Sequence, residues 1–206
     1  TPFGERRLNN PDSTGIGYIV IHGVPRPRIA DAARYLAPVQ EERNKRNRRQ
    51  VEELNRELSA ISAPTISYQD VERASMHHEG GSITERHILY VAARSLMGWL
   101  SPGPTLRSWL EEHVTGRIPA RLAAFLDDAE NPHYVYDLLG ILKSAFLPKF
   151  FIQPNSEECV PVAGAVAFAN GIDAIPAYAY LGDVAESPTG DKKAETFEDA
   201  FLDDLV

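Results

Sequence analysis

Apolar residues follow two different spacings along the chain, and each spacing predicts a different kind of element. Residues 16–22 form an unbroken, β-branched apolar run, and residues 174–181 form a second short run. Both runs are typical of buried strands. Between them, from about residue 31 to residue 148, apolar residues recur every three or four positions among polar ones, which predicts one helix after another. The pattern thus predicts strand-bearing flanks on either side of a helical middle.

The part of the chain after residue 148 predicts a strand, a helix and another strand. Residues 150–152 are apolar and strand-like, residues 157–170 have helical spacing, and the run 174–181 follows. This order is typical of a βαβ unit, whose strands are parallel. We therefore expect 16–22 and 174–181 to be parallel members of one sheet, with the functional site at the carboxyl ends of its strands.

A strongly polar run, residues 41–50, lies in a predicted long helix, which Pro38 separates from a shorter one. Its basic side chains could contact phosphates. Because acidic residues flank them at helical spacing, a solvated helix face is the favoured interpretation. Ser67 and Asp70 then predict a capping box at the start of a short helix, residues 68–73.

The stretch 77–89 concentrates the side chains that bind anions and metals, with three histidines, two glycines, two glutamates and an arginine. Gly80 and Gly81 let the backbone approach the start of the next helix, and Ser82 with Glu85 predicts a capping box there. A helix N-terminus presents free N–H groups and a positive dipole, which suit a phosphate or carboxylate. The alternative is a polar loop that only caps an ordinary helix.

Composition and charge limit the possible classes of function. The 206-residue chain has a formal net charge of −8, so attraction of the whole molecule to nucleic acid is not expected. The single cysteine, Cys159, excludes an internal disulfide and fits a reducing, cytoplasmic compartment. No apolar run approaches the ~20 residues of a membrane span, and no signal peptide is visible. A start without methionine is consistent with a fragment or a processed product.

Taken in order, these residues resemble the PHP (polymerase and histidinol phosphatase) superfamily of metal-dependent phosphoesterases, most of all bacterial members with an inserted helical domain. The resemblance is carried by a strand ending at His22-Gly23, by 78–81 and 84–89 in the helical middle, and by the strand end 177–183. It covers essentially the whole chain. It implies an α/β fold, part of a PHP-type distorted (β/α)₇ barrel with a large all-helical insertion. The implied segments are a barrel strand at 1–30, the insertion at 31–148 and a βα barrel segment at 149–206.

The resemblance also implies a chemistry. Members of the superfamily bind two or three divalent metals and hydrolyse phosphate esters. The expected function is therefore hydrolysis of a small phosphorylated molecule, a nucleotide being one candidate. The expected cofactors are divalent Zn, Mn, Mg or Fe in the intact enzyme, with binding of none by this piece of it as the alternative. The expected metal ligands are His22, His78 and Asp183. The residues expected to bind phosphate or substrate are Gly80, Gly81, Arg86, His87, Lys143 and Tyr180.

Two departures from the family pattern leave alternatives open. The family's His-x-His pair, its Asp-His-Asp stretch and its first glutamate ligand would precede Thr1, and a closing aspartate would follow Val206. The chain is therefore expected to be an inactive internal piece that lacks several ligands. Related phosphatases also have a metal-binding histidine where Tyr180 stands, and a phenol that titrates near ~10 is a poor ligand at neutral pH. Either Asp183 replaces that histidine or fewer metals bind.

A second function, from a different class, is a non-catalytic binding or interaction module of the same ancestry. Tyr180 in the place of the histidine favours this module, whereas the clustering of His78, Gly80, Gly81 and Arg86 favours the phosphoesterase. The expected partner is the small phosphorylated substrate of the phosphoesterase, and no nucleic acid and no membrane are expected. The oligomeric state is left open.

Overall fold

The structure, a computed structural model, describes residues 15–179 together with the backbone of residues 183–184 and 195–196. The helices are α1 (Ile29–Ala60), α2 (Tyr68–Ala74), α3 (Glu85–Trp99), α4 (Pro104–Leu110), α5 (Ala120–Asp127), α6 (Tyr134–Phe150) and α7 (Val162–Gly171). The strands are β1 (Ile19–His22), β2 (Ile175–Tyr178), β3 (Asp183–Val184) and β4 (Glu195–Thr196). Short 3₁₀ turns lie at Arg26–Arg28 and His77–Glu79, and a π-helical turn, Glu111–Thr115, follows α4.

The chain divides into two compact units. One, the helical unit, is Arg43–Ile152. The other, the mixed unit, joins Thr1–Glu42 to Gln153–Val206. The first division falls inside α1, so this helix contributes to both units. Among the described residues, no helix combines the length and the apolar character needed to cross a bilayer.

The helical unit has a continuous apolar core because its helices carry apolar residues at helical spacing. On α1 these are Val51, Leu54 and Leu58, all at most 4% exposed. Helix α3 packs along α6, and Leu96 of α3 and Leu142 of α6 are both buried in this core. Each such leucine stabilises the fold by roughly 1.5–3 kcal/mol relative to an exposed one.

The mixed unit combines helix and strand. Strand β1 pairs antiparallel with β2, so that Ile19 lies opposite Tyr178 and His22 opposite Ile175. Helix α7 packs on this pair and buries Ala169. At the start of α1, the ring of Tyr35 stacks on that of Phe168, with centroids 3.9 Å apart.

The predicted (β/α)₇ barrel is wrong, and so is the predicted parallel pairing. The described part of the chain is mainly helical, and the two apolar runs that were expected to be parallel form the antiparallel pair β1–β2. An apolar, β-branched run predicts a strand but carries no information about the direction of its neighbour. Parallel pairing depended on the βαβ order, which residues 148–179 do not show.

The predicted βαβ unit fails at its first strand, because Phe150 is the last residue of α6 and residues 151–152 belong to neither helix nor strand. Leu138, Leu142, Phe146 and Phe150 are buried at intervals of four residues, so 150–152 does not form a separate strand and α6 continues to Phe150. The next helix, α7, also begins later than predicted, at Val162.

Candidate functional site

Helix α2 brings the first candidate residues to the surface, and its start is fixed by a cap. The backbone N–H of Asp70 donates to Ser67 Oγ over 3.1 Å, and Ser67 Oγ donates to Asp70 Oδ2 over 2.6 Å. The first bond confirms Ser67 as the predicted N-cap, whereas the second comes from the Ser67 hydroxyl and not from its backbone N–H, as a capping box would require. With this start, the seven residues of α2 present Gln69, Glu72 and Arg73 toward one depression.

The chain after α2 folds back in a tight loop. Met76 (φ 54°) and Gly80 (φ 90°) adopt left-handed conformations on either side of the 3₁₀ turn. The N–H groups of Glu79 and Gly81 both donate to Met76 O, over 2.9 and 3.1 Å, and that of Gly80 donates to His77 O over 3.0 Å. The Gly80 and Gly81 donors that the sequence assigned to a phosphate thus have partners inside the loop.

Gly81 cannot be replaced by another residue while this loop keeps its conformation. A Cβ atom there would lie 2.1 Å from the carbonyl oxygen of Ser75, far inside van der Waals contact. The loop is closed further by His77, whose Nδ1 lies 3.2 Å from Gly81 O. The close approach of Gly81 to Ser75 therefore turns His77 and His78 back toward α2.

The result is an open depression of about 470 Å³ on the helical unit, lined by Gln69, Glu72, Arg73, His77 and His78. Three of the five side chains keep a donor for an anion: Arg73 through its guanidinium, Gln69 through its amide and His78 through a ring N–H. The Nδ1–H of His77 is directed at Gly81 O instead. Of the residues predicted from sequence, His78 lines this depression, and Gly80 and Gly81 shape the loop beside it.

The carboxylates near the depression already have basic partners. Arg73 Nη2 donates to Asp70 Oδ1, and Arg48 Nη2 donates to Glu72 Oε1 over 3.1 Å. Hydrogen bonds from Ser67 and Arg73 lower the pKa of Asp70 below its usual range. Asp70 is therefore ionised at neutral pH and partly offsets the charge of Arg73.

The cap of α3 differs from the prediction. Thr84, not Ser82, is the N-cap, and its backbone N–H donates to His87 Nδ1 over 3.1 Å. Burial lowers the pKa of His87, which keeps the ring neutral and able to accept this bond. His87 thus serves as the return partner of a capping box, the position usually held by glutamate or glutamine.

Glu85 has a different role, in a polar network that the sequence analysis missed. Its Oε1 accepts from Arg46 Nη1 over 2.9 Å and from Gln50 Nε2 over 3.3 Å. Arg46 Nη1 also donates to Ile152 O over 3.1 Å. The Arg46 side chain is only 12% exposed, so this part of the basic run faces inward.

Asn47 and Gln50 complete the network and are fully buried. Asn47 Nδ2 donates to Ile83 O over 3.2 Å, and Gln50 Nε2 donates to Asn47 Oδ1 over 2.9 Å. A signal for their burial is present in the sequence, because they extend the apolar stripe of Val51 and Leu54 backward at helical spacing. Their amides fix the chain just before α3 to α1.

The remaining predicted site residues lie elsewhere. Arg86 is exposed on α3 and Lys143 is half-buried on α6, both outside the lining of the depression. His22 is exposed at the end of β1 in the mixed unit. Asp183 begins β3, of which only the backbone is described, and Tyr180 lies outside the described residues.

Within the described residues, no three histidine, cysteine, aspartate or glutamate side chains are grouped so as to hold a metal ion. The predicted ligand set of His22, His78 and Asp183 includes a side chain that is not described. Metal binding by that set stays a prediction.

Comparison of the chain with protein-family models, with curated proteins and with solved structures finds no match. The relationship to the PHP superfamily stays a prediction from the residues quoted above.

Proposed function

We propose that this chain binds a small phosphorylated molecule in the depression between α2 and the 3₁₀ turn. The observation that supports this function is the meeting of Arg73, His77 and His78 at one open surface. A guanidinium offers a fork of donors that matches two phosphate oxygens, and the ring N–H of His78 adds a donor from the side. The loop that places the histidines depends on Gly81 and is therefore built for one conformation.

Size and charge favour a small ligand. A depression of about 470 Å³ is within the range of ordinary small-molecule sites, ~300–1,000 Å³. The net charge of −8 opposes attraction of the whole molecule to a long polyanion. A sugar phosphate or a mononucleotide has one phosphate-bearing end and fits this description.

Binding of this kind requires no metal. Hydrolysis of the ester, which the resemblance implies, would require a metal-activated water, and it stays a prediction. Binding and hydrolysis can be tested separately, since binding is measured on the 206-residue chain without turnover.

The test is a titration of the ¹⁵N-labelled chain with ribose 5-phosphate, with ribose as the uncharged control. Shifts should appear in the amide signals of residues 69–79 for the phosphate and not for ribose. Arg73→Ala should weaken binding by about ten-fold, since a charged hydrogen bond contributes ~1.5–3 kcal/mol and ~1.4 kcal/mol is a factor of ten. Arg56→Ala is the matched control, because Arg56 is similarly exposed and pairs with Glu53 three residues away.

His78→Ala should also weaken binding, by a smaller factor. Equal affinities for the Arg73 and Arg56 variants would contradict the proposed site. A ribose titration that shifts the same amides as ribose 5-phosphate would contradict phosphate recognition.

A further inference from the structure

The strongest positive charge in the depression already has a partner within the chain. Arg73 Nη2 donates to Asp70 Oδ1, three residues earlier on α2. A carboxylate presents oxygens to a guanidinium much as a phosphate does, so the two groups compete for the same donors. A ligand phosphate therefore reaches the full guanidinium only when Asp70 releases it.

Asp70 has a second partner that remains when Arg73 leaves. Its Oδ2 accepts from Ser67 Oγ over 2.6 Å, and its backbone N–H donates back to Ser67 Oγ over 3.1 Å. Release of Arg73 consequently leaves the carboxylate hydrogen-bonded and the cap of α2 intact. The exchange does not strand a charged group.

The contact is also weak enough to be exchanged. The side chains of Arg73 and Asp70 are 75% and 46% exposed, and exposed pairs three residues apart on a helix contribute little. Glu72, the carboxylate that lines the depression, is held differently. Its partner is Arg48, whose guanidinium lies 4.0 Å from the centroid of the Tyr68 ring. Asp70 is thus the carboxylate in contact with Arg73.

We infer that Asp70 is an internal competitor for the phosphate: it holds Arg73 in the empty site, and the ligand binds by taking its place. This inference rests on the function proposed above. It makes the affinity depend on a residue outside the lining of the depression, and it favours ligands with two phosphate charges over monoanionic carboxylates, because only the more highly charged group displaces Asp70 readily.

The experiment compares Asp70→Asn with Glu53→Gln in titrations with inorganic phosphate. Asparagine keeps the shape and the N–H that bonds to Ser67 but no longer neutralises Arg73. Glu53 forms an exposed pair with Arg56, also three residues apart, so its variant removes the same charge outside the depression. Asp70→Asn should bind phosphate roughly two- to five-fold more tightly than the wild type, while Glu53→Gln should be unchanged.

Acetate provides the second measurement. The ratio of phosphate affinity to acetate affinity should fall in Asp70→Asn, because acetate no longer has to displace a carboxylate. The double variant Asp70→Asn/Arg73→Ala should bind phosphate no better than Arg73→Ala alone. Circular dichroism checks that α2 is retained, and Asp70→Ala serves as the second variant if asparagine disturbs the cap.

The two levels of the hypothesis fail differently. Equal affinities for Asp70→Asn and Glu53→Gln, together with a loss in Arg73→Ala, would overturn the competition and leave the binding site standing. Unchanged affinity in Arg73→Ala would overturn the binding site itself. Absence of phosphate binding in the wild type and in every variant would overturn both.

Discussion

The loop after α2 closes because residue 81 is glycine, which has a hydrogen atom where other residues have a Cβ. The Cβ of any other residue would overlap the Ser75 carbonyl, so the loop could not close and His77 and His78 would move away from α2. In the sequence, Gly81 is a candidate because of its conformational freedom near a helix N-terminus. Its role in the structure is a close approach between two stretches of backbone, which depends on the tertiary fold and cannot be read from neighbouring residues.

His87 makes the stability of the chain depend on pH. In the folded state its Nδ1 accepts from Thr84 N–H, and burial lowers its pKa, whereas an unfolded histidine titrates near ~6.5. Above pH ~6.5 both states are neutral and the cap is intact. As the pH falls below ~6.5, the unfolded state takes up a proton before the folded state does. Stability should therefore decrease toward acid, by at most about 1.4 kcal/mol per pH unit for this one group.

Urea unfolding at pH 7.5 and pH 5.5 checks this prediction. The loss of stability on acidification should be smaller in His87→Gln than in the wild type, since glutamine caps the helix without titrating. His113→Gln is the control, because His113 is exposed and takes no part in the cap of α3. An equal pH dependence in the wild type and His87→Gln would show that another group causes it.

At the scale of elements, the sequence located most helices in the middle of the chain, and its errors have specific causes. The cap of α2 is confirmed because Ser67 and Asp70 need no distant partner. The cap predicted for α3 is wrong because the side chain of Glu85 accepts a hydrogen bond from Arg46. Thr84 and His87 form the cap instead. Pro38 lies inside α1 instead of breaking it, so the predicted separation of two helices there is also wrong.

The Arg46–Glu85 pair should fasten α1 to α3. Arg46→Met should lower the free energy of unfolding by about 2–4 kcal/mol, because it leaves Glu85 and the carbonyl of Ile152 without a charged donor in a largely buried place. Arg56→Met, at an exposed pair, should change it by less than about 1 kcal/mol. In a double-mutant cycle, the double variant Arg46→Met/Glu85→Leu should lose less unfolding free energy than the two single variants lose in sum. Strictly additive effects would mean that the two side chains act independently.

At the scale of the whole molecule, the strands were located but their pairing was not. The positions of β1 and β2 follow from their own apolar residues, although these strands are half-buried to exposed and not buried as predicted. Their antiparallel direction depends on the path of the chain through α1 to α7. The candidate site was found only in part for the same reason. His78 lies in the conspicuous stretch 77–89, but Arg73 becomes a candidate only when the loop folds back over α2.

The helical unit should fold without the rest of the chain. All the side chains in its main core come from residues 43–152, so removal of the other segments takes no side chain from that core. A segment of residues 43–152 should therefore show the circular dichroism of a helical protein and a cooperative thermal transition. Phe150→Ala should destabilise the segment and the 206-residue chain by the same amount, about 3–5 kcal/mol, because Phe150 is fully buried in this core. A segment without a cooperative transition, or a Phe150 effect confined to the longer chain, would show that the core is completed by residues outside 43–152.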